Sequence, residues 1–169
     1  IKMLGAVINS NMQRKQMIKT RCDNAMRILR GMLPFLKDLK VPVEVLMRLY
    51  QIILVPALIY GLKSSSMTMA NRQTLMRREI MIVRELAKIA HPQPPNQKIF
   101  KLLKGKTINR RVSAYRIRYY AHVLRRSHDS LLSKAQRYKI ATKRKVGRPL
   151  FDFNISLLAD MKKYADVNE

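Results

Sequence analysis

Three arginines, Arg111, Arg118 and Arg125, recur every seven residues within a stretch whose apolar positions Ile108, Val112, Tyr115, Tyr119 and Val123 follow helical spacing. A seven-residue step drifts by only about 20° around a helix, so the three guanidiniums form one stripe. The spacing predicts that stripe about a quarter turn from the apolar face. Arg110 widens it and Arg126 extends it. Guanidiniums repeated along a helix match phosphates and give salt-dependent affinity that reads no bases. The alternative is a merely solvated face. Such faces normally mix charge signs, and no Asp or Glu lies between Ile108 and Arg126.

A second basic feature, Lys143-Arg144-Lys145-Val146-Gly147-Arg148-Pro149, follows downstream. Gly-Arg-Pro in a basic setting resembles the AT-hook, whose arginine enters a narrow minor groove. The hook carries Arg before the Gly, where this chain has Val146. A basic linker or nuclear import signal is an equal reading. Tyr115, Tyr119 and Tyr120 are of a type that stacks on bases. Tyr115 and Tyr119 fall on the predicted apolar face, which assigns them to the core.

Catalytic groupings are missing by spacing. His91, His122, His128 and the single Cys22 match no zinc pattern, and neither a Gly-rich phosphate loop nor a Ser-His-Asp order is present. Tyr164-Ala165-Asp166-Val167 begins like the Tyr-x-Asp-Asp hairpin of reverse transcriptases. That site needs paired aspartates to hold two metals, and the second position here is Val167. No catalytic residue, metal ligand or cofactor is assigned.

Composition sets the wider limits. The 169 residues carry 35 Lys plus Arg against 10 Asp plus Glu, a net charge of +25. Such self-repulsion opposes folding and favours a polyanionic partner. Apolar residues make up 47 %, too many for a disordered chain. The charge is uneven: Lys98 to Arg148 holds 17 Lys or Arg and one acid, Asp129. The longest apolar run, Ile52 to Tyr60, is interrupted by Pro56 and far short of the roughly 20 residues of a spanning helix. No secretory signal opens the chain, and its start at Ile1 suggests a processed protein or a piece of a longer one. Cys22 reads as a buried thiol on an apolar stripe, suited to a reducing compartment.

The elements that position these groups are mainly helical. Lys2 to Asn9 reads as a strand. Gln13 to Leu33 reads as an amphipathic helix with Ile18, Cys22, Ala25, Leu29 and Met32 inside, stopped by Pro34. A second helix starts near Val43 behind Pro42 and is kinked or ended by Pro56, with Ile53, Leu54 and Leu58 as core and Gly61 closing it. A third runs from Arg72 to Ile89 on Leu75, Ile82, Leu86 and Ile89. After the break at His91–Asn96 come a short helix at Lys98–Lys104, the basic helix at Ile108–Arg126, and a last helix at Asn154–Tyr164.

Several short motifs, in order, carry a family resemblance. Lys2-Met3-Leu4-Gly5 with Val7-Ile8 resembles the Lys-Tyr-Leu-Gly motif that follows the palm in reverse transcriptases of non-LTR retrotransposons. Ile18-Lys19 with Arg21-Cys22 and Ala25 follows, then Tyr50 through Pro56-Ala57-Leu58-Ile59-Tyr60-Gly61. Later come Arg116-Ile117-Arg118-Tyr119, His122-Val123-Leu124-Arg125 and Gly147-Arg148-Pro149. Departures are Ser64-Ser65-Ser66 where a Trp is usual, a Tyr in place of the Gly ahead of His122, and Phe151 or Phe153 where Trp follows Gly-Arg-Pro.

The resemblance implies a strand following the palm at 1–10 and a helical thumb-like subdomain at 11–91. A linker at 92–97, a basic post-thumb helical region at 98–149 and a C-terminal helix at 150–169 complete it. It is that of the endonuclease–reverse-transcriptase type, with palm, fingers, polymerase carboxylates and Mg²⁺ belonging to the parent chain. The expected partners are RNA or DNA and the rest of that chain, with no membrane and no small-molecule substrate. The expected place is the nucleus, with a cytoplasmic ribonucleoprotein stage. Contact residues are expected at Arg110, Arg111, Arg118, Arg125, Arg126, Lys143, Arg144, Lys145 and Arg148. Rival readings are a basic chromatin protein using Gly-Arg-Pro and a structural helical module for RNA assembly. The purified chain should extend no primer with Mg²⁺ or Mn²⁺. Extension abolished by changing Asp166 alone would reverse the reading of Tyr164–Val167.

Overall fold

Pro34 lies inside the first helix rather than at its end. The structure, a computed structural model, describes residues 2–3, 6–7, 14–90, 95–138 and 153–165. Helix α1 spans Arg14–Asp38 and continues one turn past Pro34. Proline removes the bond to the carbonyl four residues back, here that of Arg30, an exposed residue. Water can satisfy that carbonyl, while buried Leu36 holds the last turn to the core. Lys40, in the left-handed region at φ 44°, closes the turn. The inner face is the one the spacing predicts: Ile18, Cys22, Ala25 and Leu29 are buried and Met32 partly so. Burial pushes the Cys22 thiol up to about 11.

Pro42 precedes α2, Val43–Leu49, as expected. The next turn, Tyr50–Leu54, is π-helical, and α3 resumes at Val55–Ile59. The Val55 N–H donates to the Tyr50 carbonyl, five residues back. This wider turn accommodates Pro56, which has no N–H to donate and whose ring crowds the preceding turn of a regular helix. The proline therefore shifts the register instead of ending the element. Leu54, Val55 and Leu58 are buried as a result, and Ile52 turns outward with 65 % exposure. Gly61, at φ 76°, then closes the segment.

The remaining helices are α4 (Met69–Ala90), α5 (Asn96–Leu103), α6 (Ile108–Leu124), α7 (Leu131–Arg137) and α8 (Phe153–Ala165). The protein is mainly α, and α7 has no counterpart among the helices expected from spacing. The continuous strand expected over Lys2 to Asn9 is replaced, among the described residues, by Lys2–Met3 pairing antiparallel with Ala6–Val7. A two-residue ladder buries too little to behave as a sheet. Helix α5 opens at Asn96, inside the stretch expected as linker. Its Ile99 and Leu103 join the hydrophobic cluster of α1–α4, as do Ile108 and Val112 of α6.

Within this core lies a carboxylate. Glu79 of α4 is fully buried and accepts hydrogen bonds from the Tyr50 hydroxyl (2.6 Å) and the Ile108 N–H (2.7 Å). It thus ties the π-helical turn to the first turn of α6, where an orphan N–H needs an acceptor. Burial raises its carboxyl above the ordinary range, while the two hydrogen bonds and the charge of Arg111 pull it down. A raised pKa means that the folded state prefers the protonated form. The resulting stability is fully present below the unfolded value of about 4.3 and is lost as pH rises through the folded value. Between those two values the loss is about 1.4 kcal/mol for each pH unit crossed. Glu79→Gln, which keeps an accepting oxygen and carries no charge, should remove most of that decline. Urea midpoints between pH 4 and 8 measure it. Parallel profiles for the two proteins would remove Glu79 from the pH dependence.

Candidate nucleic-acid interface

Helix α6 is fixed at its start and along its length before its outer face can be used. At the start, Thr107 is the N-cap, with its hydroxyl accepting from the Arg110 N–H, and Glu79 takes the Ile108 N–H. Along the middle, Arg116 is fully buried and paired with Asp160 of α8. Asp160 also pairs with Arg72 of α4 and accepts from the Ser113 hydroxyl at 2.9 Å. Arg116 donates to the Ser156 hydroxyl, which accepts as well from the Met67 N–H at 3.4 Å. The guanidinium of Arg116 lies 5.1 Å from the Phe153 ring centroid, a cation–π distance. Phe153 meets Tyr119 edge-on at 6.3 Å, and the Lys63 ammonium lies 5.8 Å from the Tyr119 ring.

This network corrects the sequence-based view of α6 in two ways. Tyr115, expected inside, is 46 % exposed, and Tyr119 is half-buried. The buried face is instead Ile108, Val112, Ser113, Arg116 and Val123. The Arg111–Arg118–Arg125 stripe therefore lies about 150° from the centre of that face, not a quarter turn away. Arg110, Arg118, Arg125 and Arg126 are exposed and Arg111 is half-buried. Arg111 Nε donates to the Lys106 carbonyl at 3.0 Å, and Arg126 Nε donates to His122 Nε2 at 3.3 Å. Arg125 and Arg126 follow the last turn rather than continue it. Lys143, Arg144, Lys145 and Arg148 lie outside the described residues.

Two clefts flank the helix. One of about 570 Å³ lies between α4, the start of α6 and α8, with Arg72, Arg110, Lys163 and three methionines on its walls. The other, of about 620 Å³, lies between the end of α6, α7 and Asn154, and holds Tyr120, Arg126, His128, Arg137 and Tyr138. Among the described residues, no group of three or more His, Cys, Asp or Glu is gathered as a metal site, and no helix is long and apolar enough to cross a membrane. No family model, curated protein or solved structure matches this chain.

Sequence reasoning missed Arg116, Asp160 and Glu79 as interior residues. A signal was present for two of them. Arg116 stands four residues after Val112 and seven before Val123, and Glu79 four after Leu75 and three before Ile82. Both occupy positions that the apolar repeat reserves for the core. Asn in place of Asp160 would leave Arg116 buried without its counter-ion. Breaking a buried pair from one side costs about 3–5 kcal/mol, so Asp160→Asn should lower unfolding stability by that amount and release α8 first. Denaturant titration with hydrogen exchange over 153–165 reads both effects. A loss under about 1 kcal/mol would mean that the pair contributes little.

Proposed function

We propose that this chain is a nucleic-acid-binding segment of a non-LTR retrotransposon reverse transcriptase, without the polymerase active site. In this reading, residues 1–10 follow the palm. Residues 11–91 are thumb-like and grip the template–primer duplex. Residues 98–149 form the basic post-thumb region, joined by 92–97 and followed by the C-terminal helix at 150–169. Binding is through phosphates of RNA or DNA, in a nuclear protein with a cytoplasmic ribonucleoprotein stage. The chemistry, with its Mg²⁺, belongs to the parent chain.

One observation carries the binding reading: α6 presents Arg118 and Arg125, with Arg111 beside them, on the side facing away from its buried residues. No carboxylate occurs on that helix to neutralise them. Cations that serve the fold, such as Arg116 and Arg72, are matched by Asp160. Arg118 and Arg125 point outward on a helix without carboxylates, and their spacing along one face with Arg111 suits a polyanion with regularly spaced charges. The family assignment rests on the ordered motifs from Lys2-Met3-Leu4-Gly5 to Gly147-Arg148-Pro149.

Replacing Arg111, Arg118 and Arg125 by Gln should weaken binding equally for unrelated sequences. The slope of log K against log salt should become shallower by about 2–3 units, since each lost phosphate contact removes roughly 0.7–0.9. A salt titration by fluorescence anisotropy measures it. An unchanged slope would reduce the stripe to a solvated face.

A further inference from the structure

The outward face of α6 holds more than arginine. Tyr115 lies four residues after Arg111 and three before Arg118, and His122 lies four after Arg118 and three before Arg125. Residues three and four apart are neighbours on a helix surface, about 5–6 Å between Cβ atoms. The face therefore reads cation, ring, cation, ring, cation. Tyr115 is 46 % exposed, and His122 is exposed with its Nε2 accepting from Arg126. The ridge runs about 21 Å from Arg111 to Arg125, enough for a few nucleotides.

Tyr119 is committed elsewhere, between Lys63 and Phe153. Tyr115 is not held in the core by burial, although the apolar repeat places a residue of its kind there. A partner that supplies only phosphates would use the arginines and leave the ring in water. Double helices are such partners, because their bases are stacked inside and their charges lie outside. A strand with unstacked bases offers both a charge and a π-face per nucleotide, and so engages both residue types.

We propose that this face of α6 is a stacking platform for unpaired bases, so that the interface takes single-stranded nucleic acid in preference to duplex. The inference rests on the nucleic-acid-binding reading and names the substrate form within it. The arginines hold the backbone, and Tyr115, with His122 one repeat further on, stacks on bases turned toward the helix.

The test uses the full 169-residue chain and three fluorescent probes: an unstructured single strand, a duplex of the same length, and a polyglutamate of equal charge. Tyr115→Ala should weaken the single strand by about 5- to 150-fold, the range of one lost base–aromatic stack. Duplex affinity should change by less than about twofold, since no stack is lost there. Tyr115→Phe should retain wild-type binding, because the ring and not the hydroxyl does the stacking. With nearly half its surface exposed, Tyr115→Ala should shift the thermal melt only slightly, and Tyr115→Phe, which keeps the ring, should not shift it. Equal losses on strand and duplex, or none, would overturn the platform while wild-type binding with a steep salt slope left the basic interface standing. Tighter binding of polyglutamate than of the single strand would assign the face to an acidic protein and overturn it too. Failure of the wild type to bind either nucleic acid would remove both readings.

Discussion

An arginine placed in a protein interior must bring its counter-ion with it, because an uncompensated buried charge costs several kcal/mol. Arg116 is fully buried, and the carboxylate that answers it, Asp160, arrives 44 residues later on α8. That requirement, together with the burial of Ile108 and Val112, sets the rotation of α6 about its axis. With Arg116 inward, Val112 and Val123 also face in, Tyr115 is turned out, and the arginine stripe points to solvent. It also sets where α8 docks, since Asp160 must reach both Arg116 and Arg72. Ser113 and Ser156 satisfy further polar atoms of the same cluster. The outward placement of Arg118 at the middle of the helix follows from the pairing of Arg116 inside.

Glu79 is the counterpart at the other end of the same helix. Its carboxylate takes the orphan N–H of Ile108 and the hydroxyl of Tyr50. Burial and the neighbouring carboxylate keep the Tyr50 proton firmly in place, so the hydroxyl stays a donor. The π-helical turn, the start of α6 and the centre of α4 are thereby held in one register. In a chain of net charge +25, such directed polar contacts matter beyond their individual energies. Hydrophobic burial favours compaction without orientation, while general repulsion opposes it. Directed contacts select which compact arrangement is adopted.

Much of the helical architecture was legible from apolar spacing. The inner face of α1, the burial of Leu54 and Leu58, that of Leu75, Ile82 and Leu86 on α4, and the approximate ends of α5, α6 and α8 all follow from three- and four-residue repeats. By the rule for isolated helices, a lost N–H stops the element at Pro34 and kinks or ends it at Pro56. In the folded chain, solvent around the Arg30 turn and a π-register at Tyr50–Leu54 absorb the loss. The rotation of α6 follows the position of a residue in the repeat and not its type. By type a tyrosine suits the core and an arginine the surface, yet Arg116 lies on the buried repeat and Tyr115 off it. Nothing local in the sequence announces that Asp160 is its partner. Pairings across 44 residues are fixed by tertiary packing.

Helix α6 thus has two charged sides under opposite demands. The inner cation is paired with a carboxylate, while the outer ones lie along a helix that carries none, and they repel one another in the free protein. A polyanion that settles on the outer side relieves that repulsion and stabilises the folded form to the extent that it binds it more tightly than the unfolded chain; with no affinity for the unfolded chain, the gain at about a hundred times Kd would be about 2.7 kcal/mol. The inner network contributes to this linkage by fixing the middle of the helix. If α8 undocks, Arg116 loses its carboxylate and α6 keeps only the anchors at its start, Glu79 on the Ile108 N–H and the buried Ile108 and Val112, so the outer face is less well defined toward Arg125. The docking of Asp160 is therefore coupled to the outer surface although it touches none of it. A polyanion on the outer face and a carboxylate on the inner one stabilise the same orientation of the same helix.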